Sequence, residues 1–180
     1  QIFKWNPVEI GWLFAIPVLS GSIFRLHGGI WTDKYGGKWM FGGLLFLCAI
    51  PMFLMSYANS FVAFALCSFG FGMAGVGFSI GIAYTSLWYP KEWQGRALGI
   101  FGMGNFGAGI TTLVAPTLLK KLTDNGTNLE GWRHLPQIYA AALVIMGIIF
   151  LIFSKNKKSE AAKGKNFVRM LTPLKQVRVW

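Results

Sequence analysis

The chain has 180 residues, 54% hydrophobic and 13% charged, with 16 Phe, 8 Trp and 23 Gly; an ordinary soluble domain carries roughly 25% charged residues. This composition excludes an ordinary soluble domain and points to a membrane protein. The net charge of +11 does not indicate a nucleic-acid partner, because the basic residues sit between or after apolar runs and not on one polar surface.

A bilayer core about 30 Å thick needs about 20 apolar residues in a helix. Five stretches qualify: residues 8–31, 39–57, 61–89, 97–119 and 135–153. The first contains Glu9 and Arg25, and the other four hold no charge. None shows the alternation of a barrel strand, so the fold class is an all-α membrane protein. Pro17, Pro51 and Pro116 lie inside spans, where neighbouring helices re-satisfy the freed backbone groups. Residues 1–153 are expected to form a partial transmembrane bundle. No leader with the order of a cleavable signal is visible, and the chain reads as part of a longer protein.

Lys and Arg set the orientation. Lys34 and Lys38 follow the first span, Lys91 and Arg96 follow the third, and eight more follow the fifth; the other side holds Lys4, Lys120, Lys121 and Arg133. Twelve against four places the tail, residues 154–180, and the 32–38 and 90–96 connections in the cytoplasm of a multi-pass membrane protein. Within it, 154–164 reads as a solvated basic linker. Residues 166–180 mix apolar and basic side chains, which suits either a surface-lying segment or the start of a further domain. Asn125-Gly126-Thr127 is read as a chance match to a glycosylation acceptor. Cys48 and Cys67 sit in apolar runs and support neither a disulfide framework nor a metal site.

The turn after the first span, GGIWTDKYGGK at 28–38, carries one acid. Asp33 is expected to cap the following helix, favoured by its positive dipole end, and a latch from Asp33 to Arg96 on the same side is a second expectation. An ordinary charged loop is the alternative.

Gly102, Gly104 and Gly107 are spaced as G-x-G-x-x-G, and Gly70, Gly72 and Gly75 repeat the pattern in the third span. The dinucleotide reading of that motif requires a strand, a turn and a helix in a βαβ unit. No soluble strand precedes either match. Two copies in neighbouring apolar helices argue instead for close helix packing, which in a bilayer depends on small residues. Gly77 with Gly81 and Gly95 with Gly99 are further small pairs, and Gly109 extends the run in the fourth span.

Arg25 is the sharpest signal. A charge deep in a span costs about 2.5–3.5 kcal/mol on insertion scales, so it should face a cavity or a partner. At 1.5 Å per residue it stands roughly 10 Å above Thr32, while Asn105 stands roughly 14 Å above Arg96, so the two share a depth. Snorkelling to the interface competes for Arg25, and a plain interhelical hydrogen bond competes for Asn105. No Asp or Glu lies in the spans beyond Glu9. An unneutralised guanidinium in a cavity suits a planar oxyanion bidentately and disfavours a cationic substrate. His27, two residues from Arg25, falls on a different helix face and is read as a packed or loop-end histidine. No nucleophile–base pair or metal cluster supports an enzyme, and no cofactor is expected.

Gly29-x-x-x-Asp33-Lys34-x-Gly36-x-Lys38 resembles the motif that the major facilitator superfamily carries between its second and third helices, with Gly37 where a basic residue is usual. Arg25 in FRLHGG and the stretch GMGNFGAGIT, residues 102–111, resemble the nitrate/nitrite porters of that superfamily, whose glycine-rich signature with its asparagine lies on the fifth helix. The resemblance covers about residues 8–155. It implies that the five spans are helices 2 to 6 of twelve, that Arg25 is one of two substrate-clamping arginines, that Asn105 lines the same site and that Phe78 is an aromatic flanking the anion. Phe78 is roughly 18 Å above Pro90, a depth that agrees. It further implies nitrate or nitrite movement by alternating access, through exchange or proton symport, with a C-terminal half supplying the second arginine. Transport of another small anion such as a carboxylate, and a non-transporting scaffold or sensor, are the alternatives.

Overall fold

In the computed structural model, which describes residue 3 and residues 5–158, the apolar runs are helices. Five are long and apolar enough to cross a membrane: Pro7–Tyr35, Gly37–Tyr57, Phe61–Ser86, Lys91–Leu122 and Leu129–Phe153. Within them we number α1 (Pro7–Tyr35), α2 (Gly37–Leu54), α3 (Phe61–Gly72), α4 (Val76–Ser86), α5 (Lys91–Gly102), α6 (Phe106–Leu122) and α7 (His134–Phe153). The chain is an all-α, multi-pass membrane protein.

Local chemistry sets several ends. Pro7 opens α1 and the Glu9 carboxylate accepts from the Asn6 backbone N–H at 2.8 Å, satisfying a donor that the first turn leaves free. Ser60 caps α3 by accepting from Ala63 N–H at 3.2 Å. At the α4–α5 corner, Gln94 Nε2 donates to the carbonyls of Ser86 and Tyr89 at 2.9 and 3.2 Å.

Small residues decide how closely the helices approach. On α1 the buried positions are Ser20, Gly21, Gly28 and Thr32, one stripe facing α3 and α4. A methyl at Gly21 would lie 2.8 Å from the Gly72 carbonyl oxygen, one at Gly28 would lie 2.1 Å from Val76 Cγ1, and one at Gly72 would meet Ser20 Oγ and the Pro17 backbone. Gly70 approaches Pro51 of α2 in the same way, and Gly42 of α2 receives Leu151 of α7. The packing expected of the motif of Gly70, Gly72 and Gly75 is therefore found.

The motif of Gly102, Gly104 and Gly107 behaves differently: the close packing expected of it is not formed among the described residues. A methyl at Gly95, Gly99, Gly102, Gly104, Gly107 or Gly109 would meet nothing within 4 Å among the described residues. The reason is the position of the fourth span: α5 leans on α4, while α6 presents Phe106, Ile110 and Leu113 at 71, 61 and 77% exposure. These glycines lie on an uncovered face.

Both motifs share a second property. Each contains a single 3₁₀ turn, Met73–Gly75 between α3 and α4 and Met103–Asn105 between α5 and α6. Tightened turns have poorer hydrogen-bond geometry and mark places where a helix can flex.

The end of the bundle bearing Lys34, Lys38, Lys91, Arg96, Lys155 and Lys157 is the basic end. There α1 runs on through Asp33 to Tyr35, and α2 starts after Gly36, whose φ of 96° no side chain favours. Asp33 therefore sits in the last turn of α1 and does not cap α2, whose N-cap is Gly36. The chain after α7 crosses this end: Asn156 Nδ2 donates to the Tyr35 carbonyl at 3.3 Å, Tyr84 Oη donates to the Lys155 carbonyl, and Lys157 Nζ donates to the Leu87 carbonyl. Residues 159–180, including the mixed segment 166–180, lie outside the described residues.

Candidate functional site

Arg25, Phe78 and Asn105 line one cleft of about 660 Å³, together with Phe41, Ala74, Gly75, Gly77, Phe101 and Gly104. Four spans build it, the second contributing Phe41 of α2. Arg25 comes from the middle of α1, Ala74 to Phe78 from the 3₁₀ turn and the start of α4, and Phe101 to Asn105 from the end of α5 and the 3₁₀ turn beyond it. Both glycine-motif turns thus border the same space.

The guanidinium reaches toward the first of these turns. Arg25 Nη2 donates to the Gly75 carbonyl at 3.5 Å, the long edge of hydrogen-bond range. Gly21 and Gly75 allow this approach, since a methyl at Gly75 would lie 3.4 Å from Gly21 Cα and 3.9 Å from Arg25 Nη2. Arg25 is exposed to the cleft. Among the described residues the ion pair that forms is Arg133 with Glu130, far along the chain, so no carboxylate neutralises Arg25. Its donor fork keeps most of its capacity for an acceptor from outside.

Asn105 is exposed at the same cleft, and its side chain makes no hydrogen bond among the described residues. Phe78, 42% exposed, shows its ring to the cleft and packs against Phe101 with centroids 5.7 Å apart. The surface offers a fixed cation, a free amide and an aromatic face in one cleft. That set can bind a small planar anion through charge-assisted hydrogen bonds flanked by an apolar wall.

Phe101 did not figure among the expected site residues. Its spacing from Asn105, four positions along a helix, puts both on one face and was the signal available. Gly104 borders the cleft, whereas Gly102, Gly107 and Gly109 do not line it.

The latch between Asp33 and Arg96 is not formed among the described residues and stands corrected. Arg96 lies exposed in the second turn of α5 with its guanidinium 5.1 Å from the Trp93 ring centroid. Gly29 has open space where a methyl would be, Lys34 sits over the Tyr35 ring and Gly36 is packed against Asn156. The basic end is held by the segment after α7 rather than by that ion pair.

A second cluster, at the opposite end, also escaped sequence reasoning. Arg133 donates to the Ser56 carbonyl at 2.6 Å and to Asn59 Oδ1 at 2.5 Å, pairs with Glu130 and lies 4.9 Å from the Trp132 ring centroid. With its hydrogen bonds satisfied inside the chain, it is a clasp between two loops.

Comparison with known proteins gives the family. The profile described as Major Facilitator Superfamily matches residues 1–179. The probable nitrate/nitrite antiporter NarK1 of Thermus thermophilus is 41% identical over 182 residues, covering 99% of this chain and 41% of that protein. The probable nitrate transporter NarT of Staphylococcus carnosus (strain TM300) is 30% identical, covering 88% of this chain and 39% of its own length. The nitrite extrusion protein of Bacillus subtilis (strain 168) is 33% identical, covering 81% and 35%. The chain thus spans about two fifths of the length of the relatives it matches. No solved structure matches it. The chain belongs to the major facilitator superfamily, and the relatives it resembles there are named for nitrate and nitrite transport.

Proposed function

We propose that the chain is part of a nitrate/nitrite porter and that its cleft supplies one side of an anion site. The observation that carries this reading is the Arg25 guanidinium, exposed in a cleft with Asn105 and Phe78 and paired with no carboxylate. Nitrate and nitrite are planar oxyanions whose acceptor oxygens match the guanidinium fork, and an ammonium cannot reproduce that match. The names of the relatives supply the substrate class.

On this reading the five spans are helices 2 to 6 of a twelve-helix fold, residues 1–153 are part of the N-terminal bundle, and 154–180 lead through the cytoplasm toward the second half. The basic end is the cytoplasmic end, and the protein works as a transporter in the inner membrane rather than as an enzyme. The uncovered face of α5 and α6, with Gly102, Gly104, Gly107 and Gly109, is where the remaining half would approach. Its glycines then let helices rock closely around a fixed midplane site, as alternating access requires. The 3₁₀ turns beside Arg25 and Asn105 give that motion a place to flex.

Thermal unfolding of the purified full-length protein tests the reading. Nitrate or nitrite should raise the unfolding temperature in a saturable way, and Arg25→Lys should shift the half-maximal concentration up by about tenfold or more, the scale of a lost charge-assisted bond. Stabilisation by formate or acetate with none from nitrate would assign the cleft to another small anion. An undiminished nitrate effect in Arg25→Lys would remove Arg25 from the site.

A further inference from the structure

Three clefts follow one another along the α3–α4 span, the first between it and α1, the second bordered by α1, α2 and α5 as well, and the third between it and α5. The first, about 360 Å³, is lined by Pro17, Gly21, Ser22, Arg25, Phe71 and Gly75 among others. The second is the Arg25–Phe78–Asn105 cleft. The third, about 520 Å³, is lined by Tyr84, Thr85, Trp88, Tyr89, Ala97 and Phe101, with Ile100. Chain direction orders them: α1 and α3–α4 run toward the basic end, and α5–α6 run away from it.

The junctions between the clefts differ. The first and second share Arg25, Ala74 and Gly75 and are nearly continuous, whereas the second and third share Phe101 alone. The Phe101 ring has a shaped seat. A methyl at Gly81 would lie 2.0 Å from Phe101 Cζ and 2.4 Å from Cε2, so the ring lies directly on the α4 backbone where a side chain is missing. Phe78, three residues earlier and hence on the same face, meets it at 5.7 Å with planes 37° apart. The ring is held by contact alone, with no polar tether, and the 3₁₀ turn Met103–Asn105 begins two residues beyond it. An apolar ring across a watered path stops an anion because the ion would have to shed water with nothing to replace it.

We propose that Phe101 is the constriction between the anion cleft and an aromatic chamber at the basic end. Seated on Gly81, its ring separates the two spaces, and its displacement joins them. The proposal rests on the clefts being the substrate path, and it adds the residue that divides that path.

The test uses full-length protein in inside-out membrane vesicles, with native cysteines replaced and a single cysteine at Ala74 in the second cleft or at Ala97 in the third. A membrane-impermeant thiol reagent is added from the basic side without nitrate. Ala97→Cys should react readily whatever occupies position 101. Ala74→Cys should react slowly beside Phe101 and about tenfold faster in Phe101→Ala, equivalent to ~1.4 kcal/mol off the barrier. Gly81→Ala, whose methyl unseats the ring, should accelerate Ala74→Cys in the same direction. Should Phe101→Ala fold poorly, Phe101→Leu should give a smaller acceleration. Labelling at Ala74→Cys that neither Phe101 variant quickens, while Ala97→Cys still reacts, overturns the proposal. Because no anion is present, that failure is distinct from a failure of Arg25→Lys to weaken nitrate binding.

Discussion

Replacing Arg25 by Met separates an anion clamp from a structural brace, because the two roles move stability in opposite directions. The tie that Arg25 makes is one 3.5 Å bond to the Gly75 carbonyl, long enough to sit at the weak end of the range, about 0.5 kcal/mol. Holding a cation at membrane depth costs about 2.5–3.5 kcal/mol on insertion scales. Exposure to the cleft relieves much of that, leaving a net cost on the order of 1 kcal/mol. Met keeps an apolar stem on α1 and removes the charge. The ligand-free full-length protein should therefore unfold at the same temperature or slightly higher, by about 2–4 °C at most. Nitrate should lose its grip at the same time. At about 100 times its dissociation constant a ligand stabilises the parent by about 2.7 kcal/mol. Removing bonds worth about 1.5–3 kcal/mol weakens binding roughly 10- to 150-fold, so the same nitrate concentration leaves about 0.3–1.3 kcal/mol. Differential scanning fluorimetry with and without nitrate reads both quantities. A ligand-free protein less stable by more than about 1 kcal/mol would make Arg25 a brace through Gly75 and refute the clamp.

Further outcomes follow from the packing. Gly21→Ala and Gly72→Ala drive a methyl against backbone atoms across the α1–α3 seam and should each cost about 1–3 kcal/mol of stability, whereas Gly11→Ala, which meets nothing, should be neutral in the same unfolding assay. Arg133→Ala removes the donors to Ser56 and Asn59 and should destabilise by about 1.5–3 kcal/mol; Arg133→Lys should recover less than half, since one ammonium cannot span both acceptors. Tyr84→Phe deletes the hydroxyl that donates to the Lys155 carbonyl, costs about 0.5–1.5 kcal/mol and should quicken proteolysis of the chain just beyond α7, read by mass spectrometry of the released fragments.

What the sequence determined by itself is the transmembrane character of the chain. Apolar length and composition decide insertion locally, so the five spans were legible in the chain alone, and the similar heights reckoned for Arg25 and Asn105 agree with their lining one cleft. The boundaries were less so: α1 runs four residues past the expected end at 31 and takes in Asp33, because a membrane helix continues past its apolar run while backbone bonds are available. Helix pairing was decided only by the tertiary structure. Two glycine motifs identical in spacing met different fates: Gly72 and Gly75 are pressed against α1, and Gly104 and Gly107 face open space, since close approach depends on which surface lies opposite and the pattern of one strand of sequence carries no information about that. The same holds for Phe101 on Gly81, Arg133 between two loops and Asn156 across Tyr35: each joins residues distant in the chain through geometry set by how the helices cross.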